Sequence, residues 1–265
     1  MKKHATVSII IILLLLAVSI LFYNKGSLSA IAEIGSTENS QISQPQAKLD
    51  DAKWYKMAYE NADKDLQDLL QKNPLNIPAE ANEKEALKNI YKKAIEKQQY
   101  WVAGFANEKI ADIDKSDSAF INAGTLFMET STTIQDNDEQ KTFLIAKAKQ
   151  LFQKAVKINP ENISANNSLA ISIIQLGQDP PMMGIGYLKK SLQIDSNDIN
   201  TNYLYAQLLI LSEQKEKAIE VYNKLVNLQP QNAEHYFQLS KLYAETKNVK
   251  LAKEYLDKAK SLTKK

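Results

Sequence analysis

Ile199-Asn200-Thr201-Asn202-Tyr203-Leu204-Tyr205-Ala206, continued through Ala218, Tyr222 and Leu225 to Leu228-Gln229-Pro230, is the stretch that decides the fold. Apolar residues recur at helical spacing on either side of a polar turn at 212–217, so two helices are written there. Residues 233–265 repeat the pattern in register. Ala252 follows Ala218 by 34 residues, and Leu256 follows Tyr222 and Ala259 follows Leu225 at the same interval. A fixed period of this length marks helix–turn–helix units stacked side by side, because one such pair cannot bury its apolar stripe alone.

Further units follow toward the N-terminus. In 163–198, Leu169-Ala170 and Ile173 serve a first helix that Gly177 ends, and Leu188, Leu192 and Ile194 serve a second with Gly184 at the small position. Asp179-Pro180-Pro181 inserts two residues there, and Pro181 suits the first position of the second helix, where its missing N–H costs nothing. In 117–162, Phe120, Ala123-Gly124 and Phe127 match the first helix, and Ala148, Phe152, Ala155 and Pro160 match the second. Extra residues around 130–141 predict longer helices, broken near Asp136-Asn137-Asp138, where Asp or Asn can cap the second.

The pair 83–98 and 100–114 reads as a degenerate unit, because Ile110-Ala111-Asp112-Ile113-Asp114 parallels Ala155-Val156-Lys157-Ile158-Asn159. Asn82 with Glu85 has the spacing of a capping box. Trp54, Met57, Ala58, Ala62, Leu66, Leu69 and Leu70 predict one helix over 47–72, stopped by Asn73-Pro74.

The pattern of aromatic-x2-Leu-small-x2-aromatic, then Ala-x3-bulky-x2-Ala, then Pro, resembles the tetratricopeptide repeat. The resemblance implies an all-α, tetratricopeptide-like helix–turn–helix solenoid of about four to five repeats. It divides the chain into N-terminal helices with the degenerate repeat at 47–116 and a repeat domain at 117–265, in units 117–162, 163–198, 199–232 and 233–265. It also implies a concave wall of first helices that binds extended or helical peptides. Carried over residue by residue, the wall positions are Asn167, Ile171, Tyr203, Gln207, Phe237 and Lys241, with Ile121 and Thr125 further up. The Lys/Asn/Arg clamp that some members use for a terminal carboxylate is not reproduced. Small residues (Ala123-Gly124, Ala170, Ala206, Ser240; Ala148, Ala218, Ala252) are expected where helices approach closely, with Phe152, Tyr222, Leu256, Phe127 and Tyr243 filling the space between.

Before these helices, Met1-Lys2-Lys3-His4 precedes an apolar run from Thr6 to Tyr23. As a helix it spans about 27 Å, close to the roughly 30 Å hydrocarbon core. Two readings stand: a retained membrane anchor over 1–24, or a signal peptide cleaved near Ala30-Ile31-Ala32. The run exceeds the roughly 7–15 residues of a signal-peptide core, which favours the anchor. Lys2 and Lys3 before the span favour an inside N-terminus. The expectation is a single-pass protein of the bacterial cytoplasmic membrane whose remaining chain is periplasmic. Residues 25–46, rich in Ser, Gln and Asn, read as a tether. The segment Asp179-Pro180-Pro181-Met182-Met183-Gly184-Ile185 also resembles one found in membrane-anchored bacterial repeat proteins.

Composition removes several functions. Net charge is +2, and all 33 cations counted as Lys or Arg are Lys, so nucleic acid has neither an electrostatic case nor a bidentate reader. Without Cys there is no disulfide, thiol catalyst or thiolate metal site. His235 stands alone on a repeat helix and reads as surface or packing. Asp136, Asp138 and Glu139 read as helix-start acids rather than a cation site. The lysines read as solvated faces, and Met182-Met183 as core filler. No catalytic, cofactor-binding or metal-ligating residues are expected. Leu251, Tyr255 and Leu262, near Lys264-Lys265, are expected on a face that a further repeat would cover, which suggests self-pairing. The chain thus reads as a non-enzymatic, membrane-anchored scaffold for partner polypeptides. The alternatives are an assembly factor of the kind used in cytochrome c maturation, or a structural membrane-bound oligomer.

Overall fold

Short polar side chains open the helices. Asp50, Asp63, Ser116, Asn137, Asn162, Asp198 and Asn232 each accept a hydrogen bond from a backbone N–H in the first turn that follows, satisfying donors no helix can pair internally. The computed structural model describes residues 49–76, 80–135 and 137–263. The expected anchor and tether, Pro78, Asp136 and Lys264-Lys265 lie outside the described residues.

Among the described residues there are twelve α-helices and no strand. They are α1 (Asp51–Glu60), α2 (Lys64–Lys72), α3 (Lys84–Glu96), α4 (Tyr100–Asp114), α5 (Asp117–Thr133), α6 (Asp138–Ile158), α7 (Ile163–Leu176), α8 (Pro181–Ile194), α9 (Ile199–Leu211), α10 (Lys215–Leu228), α11 (Ala233–Glu245) and α12 (Val249–Thr263). Among the described residues no helix is long and apolar enough to cross a membrane. The chain divides into two units, Met1–Pro180 and Pro181–Lys265. The division falls inside the expected repeat 163–198, giving α7 to the first unit and α8 to the second.

In the second unit, α9 packs on α10 and α11 on α12. Ala218, Tyr222 and Leu225, on which the 34-residue period was read, are buried in its core with Ala206, Leu209, Leu239 and Leu242. Both hairpins turn alike. Ser212 N–H, Glu213 N–H and Gln214 N–H donate to Leu208, Ile210 and Leu209 carbonyls, and Glu213 takes φ +58°. Thr246, Lys247 and Asn248 repeat this on Leu242, Ala244 and Tyr243, with Lys247 at φ +62°.

The first unit contains the same turn. Lys97, Gln98 and Gln99 donate to Lys93, Ile95 and Ala94, and Gln98 has φ +58°. Helices α3, α9 and α11 each have 13 residues. Aligned on the turn, Ala103 stands where Ala218 and Ala252 do, and all three are buried. The pair α3 and α4 therefore shares its turn geometry with the two hairpins of the second unit. Helices α5 and α6 form the next hairpin, opened by Asn137 as the spacing predicted. Helix α7 packs on both and ends at Gly177, whose φ of +63° suits a residue without a Cβ.

The loops between repeats are stapled from the following helix. The Asn166 amide donates to Pro160 and Asn162 carbonyls at 2.9 Å each, and the Asn202 amide donates to Ser196 and Asp198 carbonyls at 2.8 Å each. At the matching position Tyr236 donates its hydroxyl to Pro230 O.

Two expectations on local structure fail. The helix expected over 47–72 is two, because Asn61 folds its amide back on Met57 O while Asp63 caps a new start. The Asn82/Glu85 box does not form. A 3-10 turn, Ala81–Glu83, leads into α3; Glu83 accepts from Glu80 N–H, and Glu85 pairs with Lys88 instead.

Candidate functional site

In the second unit, α9 carries Tyr203 and Gln207 one turn apart, and α11 carries Phe237 and Lys241 at the matching positions. Their roles differ. Tyr203 is half-buried, edge-on to Tyr222 at 6.4 Å and beside His235 at 6.2 Å between ring centroids, and burial raises its hydroxyl pKa. Gln207 donates its amide to the Tyr222 hydroxyl, whose pKa burial pushes far up. Phe237 is 42% exposed, and Lys241 Nζ stands 5.9 Å from its ring centroid. Tyr203 and Gln207 thus pack on Tyr222, while Phe237 and Lys241 are exposed.

His235, beside Tyr203 and Tyr222, is buried, 3% exposed. Its Nε2 lies 2.8 Å from Gln229 Oε1 and 3.1 Å from the Asn232 amide nitrogen. Nδ1 is buried with no partner. Burial pulls the ring's pKa from 6.5 to about 4. Between those values the unfolded chain holds a proton that the folded chain does not, so stability falls as pH drops from about 6.5 towards 4, by on the order of 3 kcal/mol. Melting followed by circular dichroism at pH 7 and pH 5 is expected to show a smaller loss for His235→Gln than for the wild type. Equal losses would assign the pH dependence elsewhere.

In the first unit, α5 places Ile121 and Thr125 on one face, both half-buried, and α7 places Asn167, which is buried, and Ile171, which is half-buried. Helices α5 and α7 are in contact. One turn beyond Thr125 lies Glu129, half-buried, its carboxyl pKa raised by desolvation, with no cation paired to it among the described residues. Its spacing of four from Thr125 was visible in the sequence, but its burial was not.

Further down the first unit, side chains far apart in sequence meet. Lys147 on α6 holds Asp51 of α1 at 2.6 Å and Glu108 of α4 at 2.8 Å; the Lys147 and Glu108 side chains are only 4% and 10% exposed. Burial raises the Glu108 pKa even against the pull of Lys147. The two carboxylates outweigh Lys147's own desolvation and raise its pKa. Beside them Trp54 of α1 stacks on Trp101 at 5.6 Å and leans on Phe143 at 5.3 Å. The ion cluster and the rings together fix α1 across α4 and α6. Lys147 and Lys149 are therefore not solvated; Lys149 pairs with Asp179.

Other expectations are corrected or qualified. Met182 and Met183 are not core filler but 49% and 44% exposed. Tyr255 faces inward, stacked on Tyr243 at 5.4 Å with its hydroxyl donating to Asn223, which leaves half-buried Leu251 and Leu262 of the expected self-pairing stripe. Glu139 pairs with Lys53. No cluster of three metal-ligating side chains occurs among the described residues.

Residues 199–232 and 233–265 each match a family model described as the tetratricopeptide repeat. No curated protein matches the sequence. Among solved structures, MamA from Desulfovibrio magneticus RS-1 (residues 41 to its end) is similar at a TM-score of 0.56 and 17% identity, over 69% of this chain and 96% of that one. Another MamA crystal structure gives 0.57 and 17%, over 70% and 94%. YrrB, described as a TPR protein with an unusual peptide-binding site, gives 0.51 and 19%, over 76% and 93%. At such identities the likeness is one of fold. The chain is thus an all-helical repeat protein similar in fold to MamA and YrrB, with 199–232 and 233–265 matching the tetratricopeptide repeat.

Proposed function

We propose that this protein is a membrane-anchored scaffold that holds partner polypeptides against its first helices and performs no catalysis itself. Thr6 to Tyr23 would cross a bacterial cytoplasmic membrane once, leaving both helical units on the periplasmic side. The observation that carries the reading is the open Phe237 ring with Lys241 beside it. An exposed aromatic next to a cation seats an apolar side chain and attracts a neighbouring carboxylate, without needing an ordered loop. Tyr203 and Gln207 hold the adjacent surface rigid through Tyr222, which reduces the ordering cost of binding. YrrB, described as a TPR protein with an unusual peptide-binding site, is consistent with such a use of this fold.

A photo-crosslinking side chain at position 237 tests it in intact membranes, with position 220 on α10 as control. Discrete adducts from 237, weakened by Lys241→Glu and absent from 220, are expected; the same adducts from both positions would sink the reading. Because the chain has no Cys, a single Gln231→Cys, labelled by a membrane-impermeant maleimide in spheroplasts, reports the side of the membrane independently.

A further inference from the structure

Under the C-terminal half of α1 the first unit holds a cavity of about 320 Å³, at the small end of the roughly 300–1,000 Å³ that ligand pockets span. No acidic or basic side chain lines it, although 24% of the chain is charged. Its polar character comes from carboxamides. Asn61 spends its N–H on Met57 O and keeps its oxygen. The Gln140 amide nitrogen lies 3.5 Å from Met57 Sδ, a weak acceptor, and its oxygen is unspent. Gln98 and Gln99, on the α3–α4 turn, have no side-chain partner among the described residues.

The two equivalent turns of the second unit show what is unusual here. Where Gln98 stands, they carry the charged Glu213 and Lys247. Where Gln99 stands, Gln214 spends its amide on Ser212, and Asn248 accepts from Leu251 N–H. Among these three turns and the described residues, only the first-unit turn keeps both side chains uncharged and unspent, and a cavity lies beside it. Trp101 forms part of the wall and is held by its stack on Trp54, so the cavity does not need to be organised by its ligand.

We propose that this cavity is a second peptide site, separate from the Phe237 wall, that takes a short uncharged segment bearing carboxamide or hydroxyl side chains. A carboxamide offers one acceptor beside two donors, the complement of a peptide group, so several around one small space pair with backbone and side-chain amides together. The absence of charge disfavours an ionic ligand, whose desolvation nothing in the wall would offset.

Trp54 and Trp101 are the chain's two tryptophans, so intrinsic fluorescence reads this site directly. The full chain in detergent micelles is titrated with an N-acetylated, C-amidated Ser-Gln-Ser tripeptide. Parallel titrations use Ser-Lys-Ser and Ser-Glu-Ser blocked in the same way, and cellobiose. A saturable change with Ser-Gln-Ser alone is expected. Gln99→Ala and Gln140→Ala should each weaken it about tenfold, the size of one lost hydrogen bond. Thr133→Tyr, which fills the cavity from an exposed position, should abolish it, and Phe237→Ala should leave it unchanged. The proposal is overturned by no saturable response to Ser-Gln-Ser, by one that survives Gln99→Ala with Gln140→Ala, or by equal responses to the charged peptides or cellobiose. Helical melts of each variant identify any loss that comes from unfolding, and Gln99→Ala, whose side chain holds nothing in the fold, keeps the site testable.

Discussion

Phe152→Ala is expected to lower the stability of the first unit by about 3–5 kcal/mol, the range for a fully buried aromatic cut to a methyl. Phe152 is 1% exposed, and its ring lies so close to α5 that a methyl on Gly124 would come within 2.5 Å of Cε1. The slot is bounded by backbone, which closes poorly over a void. The same geometry makes Gly124→Ala costly, on the order of 1–3 kcal/mol, although alanine favours a helix elsewhere. The two substitutions should not add. Once the ring is gone, the new methyl occupies freed space, so Gly124→Ala should cost little or even stabilise in the Phe152→Ala chain. Urea unfolding followed by tryptophan fluorescence measures this, since Trp54 and Trp101 both lie in the first unit. Additive losses would mean that Gly124 and Phe152 do not touch.

The Gly124–Phe152 contact was legible because both residues sit at positions the repeat fixes, small on the first helix and bulky on the second. Gly104, where a Cβ would come within 2.8 Å of Phe127 Cε1, was missed because it falls one residue beyond the small position held by Ala103. The degenerate repeat was faint for a related reason. Aligned on its turn, it carries Tyr91 where Ala206 and Ser240 stand, and Asn107 where Tyr222 and Leu256 stand. What it shares with the second unit's hairpins is three backbone hydrogen bonds and one left-handed residue, and neither requires a particular side chain.

The wall positions were legible as a face but not as a surface. A spacing of four places Tyr203 with Gln207, yet whether an amide is free depends on what lies beneath it, and Tyr222 is 15 residues away. The break at Asn61 was hidden because the apolar period runs through it unchanged. Long-range polar pairing was least visible. Lys147 looks like any solvated lysine until Asp51 and Glu108, 96 and 39 residues earlier, are brought beside it. Helical periodicity carries information about one face of one helix, and this cluster, Lys147 included, draws on three.

Lys147→Met should therefore be the most damaging polar substitution, costing about 3–5 kcal/mol, because it strands a desolvated carboxylate rather than merely removing an attraction. Asp51 is half exposed and returns to water, whereas Glu108 cannot. Burial already raises the Glu108 pKa with Lys147 present, and removing the cation raises it further. A carboxyl whose folded pKa lies above its unfolded value binds more protons when folded. Its penalty is therefore absent below the unfolded value, near 4.5, and grows as pH rises through the folded one. The deficit of Lys147→Met against wild type should accordingly be larger at pH 8 than at pH 5. Adding Glu108→Leu should recover most of the loss and remove its pH dependence, since two apolar side chains fill the same space without a charge to desolvate. If Lys147→Met alone proves neutral at pH 8, water reaches Glu108, and it is the Trp54–Trp101–Phe143 stack rather than the ion cluster that holds α1 in place.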